Sequence, residues 1–304
     1  MNKKFISLII VLFSISLLFS SCLMMSSYAP MAPYDYTESV KTGGEVEAKY
    51  LAMGNYSVDL VTRKGSEITK KFYIYYPKEL MNSNSKFPVV VMLNGTGVLP
   101  SQYKTVFEHL ASWGFIVIGS DDGSCGFGNS ADECIDLIFN ENLDSKSIFY
   151  GKMDTENIGI TGHSQGGAGV LAALSVMKNK DFYKTAVALS PVHEEMSYEL
   201  GWNYDLTKIQ TPIFLLAGTA GKFETESVIP IDKMKEMFEK IPSRKSMARK
   251  VGMEHGHMLY SADGYVTAWF MWLLKGDENA AKAFGGENPE LSTNKLYSDQ
   301  NLKL

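Results

Sequence analysis

Ile158-Gly-Ile-Thr-Gly162-His163-Ser164-Gln165-Gly166-Gly167-Ala168 is the stretch on which the reading of the whole chain turns. A short apolar strand runs straight into a G-x-S-x-G pentapeptide, and a helix of small residues, 165–177, follows without a linker. A serine in a sharp strand-to-helix turn has a strained backbone, so the residues two before and two after it must be small. Gly162 and Gly166 meet that demand, and Gly167 and Ala168 let the helix lie close to the strand. The helix N-terminus behind Ser164 favours negative charge developing beside it. In this context Ser164 reads as a nucleophile.

The pattern extends in both directions from this centre. Residues 56–62 and 71–76 alternate and are β-branched or aromatic, as expected of an antiparallel pair. Pro88-Val-Val-Val-Met-Leu93 is continuously apolar, the mark of a strand buried on both faces. Further strands are expected at 115–119, 157–161, 185–189, 213–217 and 246–251, with helices at 101–112, 165–177, 231–240 and 262–274. Strands alternating with helices imply an α/β fold, a mainly parallel sheet covered by helices on both faces. No repeat or break in composition divides the series, so residues 46–285 are expected to form one catalytic domain. The segment 190–212 is too short for a large cap domain, which leaves the cleft open.

The N-terminus bears on compartment. Asn2-Lys3-Lys4 precedes an uncharged apolar run, 5–19, shorter than a membrane span, and Ser20-Ser21-Cys22 follows. Residues 1–21 therefore read as a signal peptide of lipoprotein type, its end resembling a lipobox with Cys22 as the acylated residue. Ordinary cleavage nearby, for instance after Ala29, is the alternative. Export to a bacterial cell surface or medium follows, with the membrane engaged only through that lipid. Residues 22–45, rich in Ser, Met, Tyr, Pro and Gly, read as a flexible tether, and 286–304 as a polar tail. Cys125 and Cys134 remain as an even pair within one loop region; in an oxidising compartment they form a candidate disulfide, the alternative being two buried thiols.

Of 304 residues, 45% are hydrophobic and 21% charged, the balance of a globular protein. A net charge of −5 gives no basic footprint for nucleic acid. No metal signature or cofactor motif is present, and a monomer is expected.

With strand, elbow and later motifs together, residues 70–275 resemble the α/β-hydrolases of the cutinase, polyester-hydrolase and dienelactone-hydrolase-like group. That resemblance implies an α/β-hydrolase fold with Ser, acid and His in that order. The base falls in Gly252-Met-Glu-His255-Gly-His257, matching Gly-x-x-His at His255, with His257 as second choice. For the acid, similar enzymes place Asp four residues before a Pro. Here the loop 218–230 holds no Asp; Glu226 stands four before Pro230 and is the first choice, Glu224 the alternative. The oxyanion donors are the backbone N–H groups of Gln165 and of Thr96, in the turn after 88–93. Related polyester hydrolases clamp aromatic rings with an aromatic at the Thr96 position, a Met at Gln165 and a Trp near His193. His193 and Trp202 are therefore the possible substrate-binding residues. The implied activity is carboxylic ester hydrolysis, with cutin-like or PET-type polyesters as candidate substrates. An acyltransferase or peptidase using the same triad, or a non-catalytic binding protein on the scaffold, are the alternatives.

Overall fold

The computed structural model describes residues 31–304. The signal peptide and the candidate lipidation site at Cys22 lie outside the described residues. Nine strands form one sheet in the order β1-β2-β4-β3-β5-β6-β7-β8-β9. They are β1 (Val58–Lys64), β2 (Lys71–Pro77), β3 (Phe87–Leu93), β4 (Ile116–Ser120), β5 (Met153–His163), β6 (Tyr183–Leu189), β7 (Ile213–Gly218), β8 (Lys245–Lys250) and β9 (Tyr297–Lys303). The six strands from β4 to β8 pair in parallel, while β2 and β9 run against their neighbours. This is the α/β-hydrolase architecture the resemblance implied, with an antiparallel pair, β1 and β2, within two residues of where 56–62 and 71–76 placed one.

The uniformly apolar β3 shows why the sheet must be covered on both faces. Val89, Val91 and Leu93 enter one core; Val90 and Met92 enter the other, since successive strand side chains point to opposite faces. The first core is closed by α4 (Asn129–Leu143), α5 (Gln165–Ser175) and α7 (Ile231–Lys240), through residues such as Ile135, Leu171 and Met234. The second is closed by α2 (Glu45–Leu51), α3 (Lys104–Ser112) and α8 (Asp263–Lys275), through Tyr50, Phe107 and Trp269. Each fully buried large side chain contributes roughly 1.5–3 kcal/mol. Between β6 and β7 stand the short α6 (Glu194–Glu199) and one 3-10 turn, Leu206–Lys208, too little to form a cap domain over the strand ends.

Three expectations need correction. The region of Cys125 and Cys134 is not a loop: Cys134 lies within α4, a helix the sequence reading did not anticipate. Its acidic residues disguise a stripe in which Ala131, Cys134, Ile135 and Ile138 are buried at helical spacing. Both cysteines are free and buried, so the disulfide is not formed. Cys125 Sγ lies 3.5 Å from both the Ser130 hydroxyl and the Asp122 carbonyl, and Cys134 faces the core. Burial pushes the Cys125 thiol up to about 12 and that of Cys134 well above its usual value.

The second correction concerns 22–45, whose described part is not a free tether. Ala32 and Tyr36 are buried, Tyr36 in a short helix, α1 (Tyr36–Ser39), and its hydroxyl donates to Asp263 at 2.6 Å. Thirdly, 286–304 is no loose tail. After α9 (Glu278–Ala281) and α10 (Glu290–Thr293), β9 pairs with β8 and completes the sheet. A buried carboxylate ties the early helix α2 to the last strands: Glu47 accepts from Lys250 at 2.9 Å, Asn294 at 2.9 Å and Tyr297 at 2.7 Å. Long-range polar contacts of this kind leave no periodic trace in a sequence.

Candidate active site

At the end of β5 the chain turns into α5 through Ser164, whose φ of 59° and ψ of −119° lie where non-glycine residues are strained. Close backbone approach imposes the turn. A Cβ on Gly162 would stand 2.4 Å from the Gly166 carbonyl oxygen, and one on Gly166 would stand 2.2 Å from that of Leu93. The flanking glycines are thus a steric requirement. The turn is pinned by Ser164 N–H donating to Leu189 at 2.9 Å, and it carries the Ser164 hydroxyl to the C-terminal rim of the sheet.

His255 reaches that rim from the turn after β8. Its Nε2 is 2.8 Å from Ser164 Oγ, and its Nδ1 is 2.6 Å from a carboxylate oxygen of Glu224. The acid at the imidazole is therefore Glu224, the second choice of the sequence reading; Glu226 is exposed to solvent. The reason is a wide helical turn, Phe223–Val228, closed by Ile229 N–H to the Glu224 carbonyl, five residues apart. This π-type turn swings Glu224 inward, so the spacing to Pro230 points to the wrong carboxylate. Glu224 is fully buried; its other oxygen accepts from Gly218 N–H and from the Ser190 hydroxyl, each at 2.6 Å. Burial pushes this carboxyl up, but the hydrogen bonds from His255, Gly218 and Ser190 outweigh it and hold it below its ordinary value. Ser190, which follows β6 with φ of 42°, and Gly218 had no signal in the sequence.

His163, the residue before the nucleophile, lies under the base. Its ring centroid is 4.6 Å from that of His255, and its Nε2 is 2.8 Å from the His255 carbonyl oxygen. A carbonyl only accepts, so that nitrogen carries the proton. Burial, with the neighbouring His255, pushes the His163 pKa down to about 3 and keeps the ring neutral.

The Thr96 turn abuts the elbow: a Cβ on Gly95 would lie 3.6 Å from Ser164 Cβ. Buried Asn94 secures it by donating to the carbonyls of Ser120 at 2.5 Å and Asp122 at 3.0 Å and accepting from the Tyr103 hydroxyl. Gln165 is the first residue of α5, where a backbone N–H has no intrahelical acceptor. Of the two possible substrate-binding residues, Trp202 is 9% exposed and packs in the core against Gly126, so it forms no wall of an open cleft. His193 precedes α6 and lines a cavity of about 430 Å³ together with Glu195, Tyr198 and Lys233. Its Nδ1 is buried without a partner. His257, the other candidate base, is exposed. Among the described residues no group of His, Cys, Asp or Glu is placed to hold a metal ion, and no helix is long and apolar enough to cross a membrane.

A parallel sheet whose central strand delivers a strained serine to a histidine and a carboxylate on later strand ends defines the α/β-hydrolase class. Within it the chain belongs to the PET hydrolase-like family, whose model matches residues 32–289. It is 28% identical over 172 residues to a bis(hydroxyethyl) terephthalate hydrolase of Streptomyces coelicolor, covering 54% of this chain and 47% of that protein. It is 25% identical over 181 residues to cutinase est1 of Thermobifida alba, covering 58% and 53%. A third relative, cutinase 2 of Thermobifida cellulosilytica, is 28% identical over 125 residues, covering 40% and 44%. The chain thus spans about half the length of these relatives.

Proposed function

We propose that this chain is an exported serine hydrolase that cleaves carboxylic esters, polyesters among them, through an acyl-enzyme on Ser164. The observation that carries the reading is the unbroken hydrogen-bonded series Glu224–His255–Ser164. His255 Nε2 takes the Ser164 proton as Oγ bonds to the ester carbon. The carbonyl oxygen becomes an oxyanion, received by the N–H groups of Gln165 and Thr96. The tetrahedral adduct then expels the alcohol, whose oxygen collects the proton from Nε2. Water repeats the sequence on the acyl-enzyme and releases the acid. Throughout, Glu224 holds the imidazole in the tautomer with Nδ1–H and stabilises its charged form.

The open rim suits bulky or polymeric esters, and the named activities of the relatives favour terephthalate diesters and cutin-like polymers. Lys3-Lys4, the apolar run after them and Cys22 favour export with a lipid anchor. The test is turnover of bis(hydroxyethyl) terephthalate and short p-nitrophenyl esters by wild type and Ser164→Ala. Wild type is expected to hydrolyse both, and the variant to lose at least about a thousandfold in kcat with an unchanged fold. A variant retaining more than about a tenth of the activity overturns the mechanism.

A further inference from the structure

Phe223 is 46% exposed, yet its ring packs edge-on against His255, with centroids 4.9 Å apart and planes at 86°. Among the described residues His163 and Phe223 are the two whose rings stack on His255, the first from the buried side. A single exposed aromatic needs no explanation in general. This one stands no further from the Ser164 hydroxyl than one imidazole and one hydrogen bond. Its backbone is placed by the neighbouring residue, since the Glu224 carboxylate has three partners and the wide turn 223–228 begins here.

We infer that Phe223 is a specificity-determining residue that forms one wall of the site for the alcohol portion of the ester. The reading rests on the proposed serine mechanism. In that mechanism His255 Nε2 must reach the departing oxygen to protonate it, so the alcohol leaves on the side of the imidazole. A ring packed against that imidazole and open to solvent borders the alcohol as it departs. An apolar or aromatic alcohol portion gains contact area and edge-to-face geometry there, whereas methyl alcohol is too small to use it. The oxyanion turn carries Thr96 in place of an aromatic, and Trp202 is in the core.

The test fixes the acyl group as acetyl and varies the alcohol from methyl to benzyl to naphthylmethyl, with a methyl benzoate series for the opposite side. In Phe223→Ala, kcat/KM should fall about tenfold or more for the two aromatic alcohols and stay within about twofold for methyl acetate and methyl benzoate. Phe223→Trp should retain the preference, and the pH profile should not move. An equal loss across all alcohols, a shifted pH profile, a loss that follows the acyl group instead, or no loss would each overturn the assignment. Melting temperature shows that the variant is folded, and Ser164→Ala on the same esters separates the two readings. Turnover that survives Ser164→Ala removes the mechanism and the alcohol wall with it; turnover that depends on Ser164 but shows no alcohol-selective loss removes the wall alone.

Discussion

The elbow at Ser164 and the turn at Glu224 each present one side chain to His255, but they are built by opposite means. At the elbow, constraint is steric: glycines flank the serine because backbone oxygens of Gly166 and Leu93 occupy the space a Cβ would need. At the acid turn, constraint is by hydrogen bonding: Ser190 after β6, His255 after β8 and Gly218 at the end of β7 itself select the carboxylate. Local steric demands restrict residue type at fixed spacing and can be read from a motif. Demands met by hydrogen bonds restrict only chemistry, and either of two nearby glutamates would satisfy them on paper.

That contrast can be broken or sharpened by substitution. The largest effect is expected for Gly166→Ala, whose new Cβ would meet backbone oxygen of both Leu93 and Asn94, at 2.2 and 2.7 Å, with no side chain able to give way. Overpacking against backbone should cost at least about 3 kcal/mol in urea unfolding and abolish turnover. A stable, active variant would show that the elbow does not depend on this approach. Next, Glu224→Gln should reduce kcat by at least about 100-fold with a smaller change in KM, because the His255 tautomer and its charged form both lose support.

A smaller, pH-dependent effect is expected at His163. The unfolded histidine takes up a proton below about 6.5, whereas the folded one resists protonation down to about 3. Between those values the unfolded state binds more protons, so native stability falls on acidification by up to about 1.4 kcal/mol per pH unit. Urea titrations at pH 7 and pH 4 should show this acid sensitivity reduced in His163→Gln, and an unchanged slope would mean the ring titrates normally. Smallest of all, Glu226→Gln should leave kcat and KM within about twofold, as for a solvated charge. A large loss there with none at Glu224 would return the acid role to the spacing rule.

The same distinction explains what was legible in the sequence. The parallel sheet was, because strands buried on both faces, such as 88–93, must be apolar throughout. The pairing of Ser164 with His255 was also legible, the serine from its steric context and the histidine from the Gly-x-x-His that the resemblance places after the last parallel strand. The helix 129–143 was obscured by the acidic residues of its solvent face, and the cysteine within it was mistaken for a loop residue. Strand β9 was obscured because an edge strand with Ser-Asp-Gln-Asn at its centre looks like a tail. Nothing in the composition of 31–45 marked Tyr36 as buried, since its partner, Asp263, is far away in sequence.

That last strand has a practical consequence. β8 holds Lys245, Arg249 and Lys250, all buried, between β7 and β9. Anyone trimming the chain before Tyr297 as dispensable would strip Glu47 of a phenol partner and leave a row of unpaired peptide groups along β8. Such an edge recruits other chains, so the shortened enzyme would be expected to precipitate or pair with itself rather than merely melt earlier. The polar face of β9 acts as the selvedge of the sheet, a finished border that keeps the fabric from catching on its neighbours.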